Sequence, residues 1–264
     1  MLNKKRIINT SFWLKLFIID NKQQMKIQKQ GVSQVMLFDT YKFIDLTHLL
    51  TPNIPNWGKT CGFNIENIFD YEHHGHRTQK ISLCAGIGTH MDAPGHFVKG
   101  GKSIDDIPLE KLIVPVHLIN VSEKANANYL ISTNDLEEYE KQYGRIIENS
   151  FVIGYTGWSR HWPDAERYFN LDNQNHMRFP SFSVEVCQTL LERDISGIGI
   201  DTLSPDCNLE FPVHKLLLGK GKYIVENLAN CHLLPALGAY VILFPLNMDS
   251  TESPIRAVAI CPRS

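Results

Sequence analysis

The stretch from Ile81 to Phe97 constrains this chain most, because it combines glycine, proline, histidine and a carboxylate within a few positions. His90 and Asp92 are two residues apart, so on an extended backbone their side chains leave from the same face and can converge on one point. The Ala-Pro-Gly sequence that follows predicts a turn, because proline fixes its own φ and glycine adopts dihedrals that other residues avoid. Such a turn brings His96 back toward the same point.

These residue types indicate a metal site. Imidazole nitrogen and carboxylate oxygen together suit zinc or manganese, so His90 and Asp92 are candidate ligands. A histidine that lies beside the ion without binding it can exchange a proton near neutral pH, and His96 is the candidate for that role. Gly86 and Gly88 precede the motif, and glycine in such a place often marks a close approach of backbone or ligand. The chain has 11 histidines, so a His-x-Asp pair taken alone also fits a purely structural role.

Charge, hydropathy and cysteine content exclude several function classes. The formal net charge is −2 and no basic stripe is present, which argues against a nucleic acid partner. No run approaches the ~20 apolar residues that a membrane-spanning helix needs, so no membrane partner is expected. The six cysteines include no Cys-x-x-Cys pair, and in a chain of 264 residues this favours reduced thiols and a cytoplasmic location.

The first 36 residues differ from the rest of the chain. Phe12 to Ile19 is largely apolar, but Lys15 interrupts it and no small-x-small cleavage site follows. We interpret residues 1–36 as a loosely attached N-terminal extension, or as an over-long start with translation beginning near Met25 or Met36. Beyond them the chain has no repeats and no low-complexity linker, which predicts one domain over residues 37–264.

Hydrophobic patterning predicts an α/β domain, with short apolar or alternating runs as strands and capped amphipathic segments as helices. Strands are expected over 42–47, 113–119, 151–155, 195–200, 223–228, 239–245 and 255–261, and helices over 132–143, 183–193 and 211–219. Asp201, Ser204 and Asp206 follow the fourth of these strands, which is the usual place for functional groups in α/β folds. Capping and turn chemistry is the alternative explanation for them.

A second imidazole and carboxylate pair follows later in the chain. Glu226 interrupts the apolar run of its strand, and a buried carboxylate is costly without a cation. His214 lies on the short helix just before that strand, so the two residues are candidates to complete the site begun by His90 and Asp92. Trp57 and Trp158 lie in loops and are candidate walls of a substrate pocket, although Trp57 also fits a role at the edge of the core.

Taken together, these motifs resemble the putative cyclase family of metal-dependent hydrolases, which includes bacterial kynurenine formamidase and isatin hydrolase. The resemblance spans roughly Phe43 to Ala259. The matching segments are Gly88-Thr89-His90-x-Asp92-Ala93-Pro94-x-His96-Phe97, Gly199-x-Asp201-Thr202-x-Ser204-x-Asp206, and His214 followed twelve positions later by Glu226. It implies a swivelling β/β/α fold, assembled as a homodimer or homotetramer, that hydrolyses amide or cyclic-amide C–N bonds.

The resemblance also implies roles for single residues. The family's metal ligands fall on His90, Asp92, His214 and Glu226, and its proton-shuttling histidine falls on His96. We expect a zinc or manganese ion that lowers the pKa of a bound water and polarises the substrate carbonyl. We expect Ser204 to hydrogen-bond the developing oxyanion. The substrate class would be a small N-formyl amide, lactam or imide.

The chain departs from the family pattern at one position. The pattern begins His-x-Gly-Thr-His, and its first histidine, which is a ligand of one metal, aligns with Gly86. One tightly held ion is therefore expected, with any second ion bound weakly. Cys84, two positions earlier and expected on the same strand face, is a candidate substitute ligand; packing is the alternative for a small thiol.

Two other functions remain open from the sequence. Loss of a ligand at Gly86 fits a pseudoenzyme or a metabolite-binding protein on the same fold, although the five retained site residues favour an enzyme. A hydrolase with a serine or cysteine nucleophile is the other alternative. No Gly-x-Ser-x-Gly elbow supports it.

Overall fold

The computed structural model of the protein describes residues 37–57 and 62–263. From Tyr41 onward the described residues form a single α/β unit. A short helix, α1 (Leu37–Thr40), lies before it in the sequence. The predicted N-terminal extension, residues 1–36, lies outside the described residues, so the domain boundary at residue 37 stays a prediction.

Strands and helices alternate along most of this unit. Its strands in the described part are β1 (Tyr41–Asp45), β2 (Phe63–Phe69), β3 (Thr78–Leu83), β4 (His90–Asp92), β5 (Ile113–Asn120), β6 (Leu130–Ile131), β7 (Phe151–Tyr155), β8 (Ser181–Phe182), β9 (Gly197–Ile200), β10 (Tyr223–Glu226), β11 (Ala239–Pro245) and β12 (Glu252–Pro262). Its helices are α2 (Tyr71–His74), α3 (Thr133–Tyr143), α4 (Ala165–Phe169), α5 (Val184–Glu192) and α6 (Pro212–Gly219). Every strand and helix expected from the hydrophobic pattern is present, with shifted ends. The hairpin of β2 and β3 was not predicted, because polar residues interrupt both strands.

Eight of the strands form a sheet that closes on itself. Its order is β1-β12-β11-β5-β7-β9-β10-β4, and β4 also pairs with β12. Strands β5, β7, β9 and β10 run parallel to one another, whereas the other neighbours are antiparallel. Because β4 pairs on both sides, it closes the barrel between β10 and β12.

Alternate residues of the barrel strands contribute to two different cores, as the period of two along a strand requires. Phe151 and Ile153 of β7 pack inside the barrel, whereas Val152 packs outside it against the helices. Met91 of β4 belongs to the inner core. Its neighbours His90 and Asp92 therefore point to the outer face of the barrel, where the helices lie.

Local signals fix the helices that cover this face. Ser132 caps α3, and its backbone N–H donates to Asp135 at 2.7 Å, which completes a capping box. Ser183 caps α5 by accepting from the Val186 N–H at 3.2 Å. Such caps contribute about 1 kcal/mol each. Helix α6 starts at Pro212 and buries Val213, Leu217 and Leu218 in the outer core, which places His214 above the sheet.

Five cysteines lie in the described part of the chain, and all five are free thiols. In the part of the chain that the structure describes, no helix is both long enough and apolar enough to cross a lipid bilayer.

Candidate metal centre

The centre is built on β4, whose three residues pair with two strands. Glu226 lies opposite His90 across the pairing with β10, and Glu252 lies opposite Asp92 across the pairing with β12. Residues directly opposite each other in an antiparallel pair share a face, as do residues two apart on one strand. All four side chains therefore leave the sheet on the face that α6 covers.

The ligand atoms of His90, Asp92 and Glu226 all lie within 4.8 Å of one another around one point. Nε2 of His214 contacts the other oxygens of the same two carboxylates. Nε2 of His90 lies 3.5 Å from Asp92 Oδ1 and 3.3 Å from Glu226 Oε2. Nε2 of His214 lies 3.4 Å from Asp92 Oδ2 and 3.2 Å from Glu226 Oε1. In a tetrahedral zinc site with bonds of about 2.1 Å, neighbouring ligand atoms lie about 3.4 Å apart. The observed spacing matches that of a ligand shell.

Hydrogen bonds hold both imidazoles with Nε2 toward this point. Nδ1–H of His90 donates to the Gly88 carbonyl at 2.9 Å, which the φ of +66° at Gly88 helps to orient. Nδ1–H of His214 donates to Asp206 Oδ2 at 2.7 Å. Asp206 is itself fixed, because it accepts the backbone N–H groups of Val213 and His214. In the neutral imidazoles these tautomers, assigned from the hydrogen bonds, leave the Nε2 lone pairs available to a metal.

The buried carboxylates and imidazoles of the cluster shift one another's pKa. Burial and the nearby Asp92 carboxylate raise the pKa of Glu226. Burial opposes charge on His214, but hydrogen bonds to Asp206, Asp92 and Glu226 outweigh it and raise its pKa to about 12. A protonated imidazole or a divalent ion supplies the charge that these carboxylates need.

One atom of the cluster has an unmet hydrogen-bonding need. Asp92 is 1% exposed, and its Oδ1 has no hydrogen-bond partner among the described residues. Such a buried, unsatisfied oxygen costs about 1–3 kcal/mol. Ligation of a metal ion would satisfy it, so the residues present fit a divalent cation.

His96 and Ser204 lie beside the cluster and line the same cavity. His96 ends the turn Pro94–His96 that follows β4, and its Nδ1 lies 3.3 Å from Glu252 Oε2. Partial burial lowers the pKa of His96, but the contact with Glu252 and the charge of Asp92 together outweigh it, so the net pKa is raised. Oγ of Ser204 accepts the Asp206 N–H at 3.1 Å, which leaves its hydroxyl hydrogen free to donate.

The cavity over the centre has a volume of about 400 Å³ and an aromatic wall. Trp57 and Phe97 both pack against Phe211, with ring centroids 5.6 and 5.5 Å apart. Trp158, expected as a second wall, is not among the residues that line this cavity. It is buried in a separate cluster, where its Nε1–H donates to the Tyr168 carbonyl at 3.0 Å. Phe97 and Phe211 line the cavity in its place.

Two assignments around Gly86 differ from expectation. Cys84 was expected on one strand face with Gly86, but β3 ends at Leu83 and a turn follows. Cys84 is also absent from the cavity lining, whereas Glu252 is part of it. Glu252 was not predicted as a site residue, because it precedes the apolar run of its strand and resembles an ordinary acidic loop residue.

Known proteins share this fold and resemble this chain in sequence over most of its length. The family model described as putative cyclase matches residues 44–207. An isatin hydrolase from Roseibium aggregatum is 28% identical over 256 residues, which cover 89% of this chain and 97% of the relative. A kynurenine formamidase from Bacillus anthracis is 28% identical over 225 residues, covering 83% of this chain and 97% of the relative. The solved structure of isatin hydrolase A from Labrenzia aggregata bound to benzyl benzoate has a TM-score of 0.80 at 31% identity, over 92% of this chain and 99% of that one. This chain therefore belongs to the putative cyclase family.

Proposed function

We propose that this protein is a metal-dependent hydrolase that cleaves the amide or cyclic-amide C–N bond of a small molecule, and not a peptide bond. One observation carries the proposal: ligand atoms of His90, Asp92 and Glu226 lie within 4.8 Å of one another on the wall of an aromatic cavity, and His214 contacts both carboxylates. The names of the relatives, an isatin hydrolase and a kynurenine formamidase, support this reaction class.

His90, Asp92, His214 and Glu226 would hold the ion, through two imidazole nitrogens and two carboxylates. This donor set suits zinc and manganese. When bound, such an ion lowers the pKa of water toward ~7 and polarises a carbonyl oxygen. Because Asp206 and the Gly88 carbonyl orient the two imidazoles, the chain presents these ligands in a preset geometry.

The remaining chemistry falls to residues on the cavity wall. His96 accepts a proton from the attacking water and transfers it to the departing nitrogen, as a general base and then a general acid. The water oxygen forms a bond to the carbonyl carbon while the C–N bond breaks, giving a carboxylic acid and an amine. With a cyclic amide both groups stay in one ring-opened product. Ser204 donates its hydroxyl hydrogen to the developing oxyanion.

The substrate proposed for this site is flat and small. Trp57, Phe97 and Phe211 provide faces on which an aromatic ring packs, and about 400 Å³ admits one or two fused rings. An N-formyl amide, a lactam or an imide would each place a carbonyl over the charged floor of the cavity.

The proposal includes a cytoplasmic homodimer or homotetramer. The free thiols support the location.

The hairpin of β2 and β3 supports assembly, because Ile65, Ile81 and Leu83 are exposed on one of its faces. An isolated two-stranded hairpin is marginally stable in water, so a second copy packed on this face would stabilise it. Light scattering coupled to gel filtration measures the assembly state.

Removing and restoring the ion tests the proposed reaction. Protein stripped with a chelator is screened against N-formyl, cyclic-imide and lactam substrates, with and without added zinc or manganese. We expect turnover only after an ion is restored, and a melting temperature that falls on stripping because the ion binds the folded state. Equal turnover by stripped protein, or a melting curve that excess zinc and manganese leave unchanged, would contradict the proposal.

A further inference from the structure

The space beside Gly86 is filled by another residue's side chain. A Cβ atom placed on Gly86 would overlap Oε1 of Glu252 and would lie 3.4 Å from Nε2 of His90. Gly86 is not among the glycines with positive φ, so its backbone does not itself demand glycine. The Glu252 carboxylate therefore occupies the volume that a side chain at position 86 would use to approach His90.

The strand register holds Glu252 there. Glu252 is the partner of Asp92 across the pairing of β12 with β4. The neighbouring Thr251 carbonyl accepts the Ala93 N–H at 2.9 Å, which extends this pairing by one bond. The two carboxylates therefore leave the sheet side by side, and Glu252 is only a quarter exposed, in the cavity wall.

The two oxygens of Glu252 have different neighbours. Oε2 lies 3.3 Å from Nδ1 of His96, whereas Oε1 is the oxygen over Gly86 and toward His90. Ligand atoms of Asp92, His96 and Glu252 all lie within 4.8 Å of one another. One carboxylate can thus hold His96 by one oxygen and offer the other oxygen to an ion.

An independent observation comes from Asp92. Its side chain is 2% exposed, and Oδ1 lacks a hydrogen-bond partner in the described part of the chain. Oδ2 faces His214, whereas Oδ1 is the oxygen that faces His90, the residue beside Gly86 and the Glu252 carboxylate. A cation between these groups would satisfy Oδ1 and neutralise both carboxylates.

We propose that Glu252 is a metal ligand, which reaches the ion on Asp92 from the position that a side chain at residue 86 would otherwise occupy. This inference rests on the proposed function, since both require a bound divalent ion. Its chemical consequence is a donor set richer in oxygen. Carboxylates suit manganese, whereas added imidazole favours zinc, so Glu252 shifts the preference of the site toward manganese.

Calorimetric titration of metal-free protein with manganese, and separately with zinc, tests this role. Glu252→Gln keeps the size of the side chain and removes its charge. We expect it to weaken manganese binding by more than about tenfold, which is what loss of even an outer hydrogen-bond partner can cost. Asp249→Asn removes an exposed carboxylate from the loop just before β12 and should bind both ions as the unmodified protein does.

The second arm of the experiment removes the Glu252 side chain and places a histidine at position 86 in the space that it leaves. Glu252→Ala clears the volume over Gly86, so adding Gly86→His to it supplies a nitrogen in place of the lost oxygen. We expect the double variant to bind zinc more tightly than Glu252→Ala alone, with a smaller gain for manganese. Melting curves of the metal-free variants separate loss of a ligand from loss of the fold.

The outcomes distinguish this inference from the proposed function. Unchanged manganese affinity in Glu252→Gln would overturn the inference, and a simultaneous fall in turnover would show that Glu252 acts through His96 alone. The proposed function would survive that result. Failure of the unmodified protein to bind either ion would overturn both.

Discussion

The candidate metal centre has two parts, which differ in how deeply their side chains are buried and in how they are held. The inner group, His90, Asp92, His214 and Glu226, has side chains between 2% and 8% exposed. The outer pair, His96 and Glu252, has side chains 29% and 25% exposed. In the inner group, each imidazole is fixed by a hydrogen bond from its Nδ1, on the side of the ring away from the proposed ion. His96 is fixed instead by its contact with Glu252.

This difference in burial fits two separate roles, with the inner group as metal ligands and His96 of the outer pair as the proton carrier. A ligand must be preset and shielded from water, because the ion binds more tightly when its donors need no rearrangement. A proton carrier must reach both the water and the leaving group, which requires access to the cavity. Substitutions that act on one part and leave the other intact test whether the two parts have separate roles.

The largest effect is expected from His90→Ala. Removing one buried nitrogen leaves Asp92 and Glu226 facing each other with less compensation, so the variant should lose the ion and the hydrolytic activity together. Metal content after dialysis and turnover on the best substrate measure the two losses. His73→Ala removes an exposed histidine that contacts Asp70 and should change neither. Retention of the ion by His90→Ala would remove this residue from the ligand set.

A smaller effect, confined to turnover, is expected from His96→Ala. The variant should keep its metal content while turnover falls by roughly 10²–10⁴, the usual contribution of general acid–base catalysis. Metal analysis and steady-state kinetics on the same preparation separate the two properties. Unchanged turnover would exclude His96 from proton transfer. Loss of the ion would instead make His96 a metal ligand, and the two parts would then not differ in role.

The mildest effect is expected from Asp206→Asn, which acts behind the inner group. An amide neither carries the charge that supports His214 nor fixes its tautomer as firmly as the carboxylate does. Metal affinity should therefore fall by about 10–100-fold while the ligands themselves stay present. Competition with a chelator of known affinity measures it. Asp172→Asn alters a surface carboxylate bonded to Arg178 and serves as the matched control. Wild-type affinity in Asp206→Asn would show that the anchor behind His214 is dispensable.

The fold was predictable where a local pattern decides it. The apolar runs of β5, β7 and β11 and the capping residues Ser132 and Ser183 define their elements within a few residues of the chain. Closure of the barrel was not predictable in this way. It depends on β4, only three residues long, pairing with two strands that follow it far along the chain.

The same reasoning explains which site residues the sequence revealed. His90 and Asp92 are predictable from their spacing of two residues, and Glu226 from its place in an apolar strand. Glu252 gives no such signal, since its role depends on the strand register and on the absence of a side chain at Gly86. Trp158 was expected in the cavity because its loop contains small residues, but its indole is satisfied by the Tyr168 carbonyl within a buried cluster.

The double pairing of β4 also sets an order of events during synthesis. Ribosomes deliver the N-terminal part of a chain first, and a domain generally folds as a unit. The inner group is complete no earlier than the translation of β10, and the outer pair no earlier than that of β12. Until β12 emerges, one edge of β4 lacks its partner strand and is open to wrong pairing. A chaperone that shields this edge, or early uptake of an ion by the inner group, would protect the nascent chain during that interval.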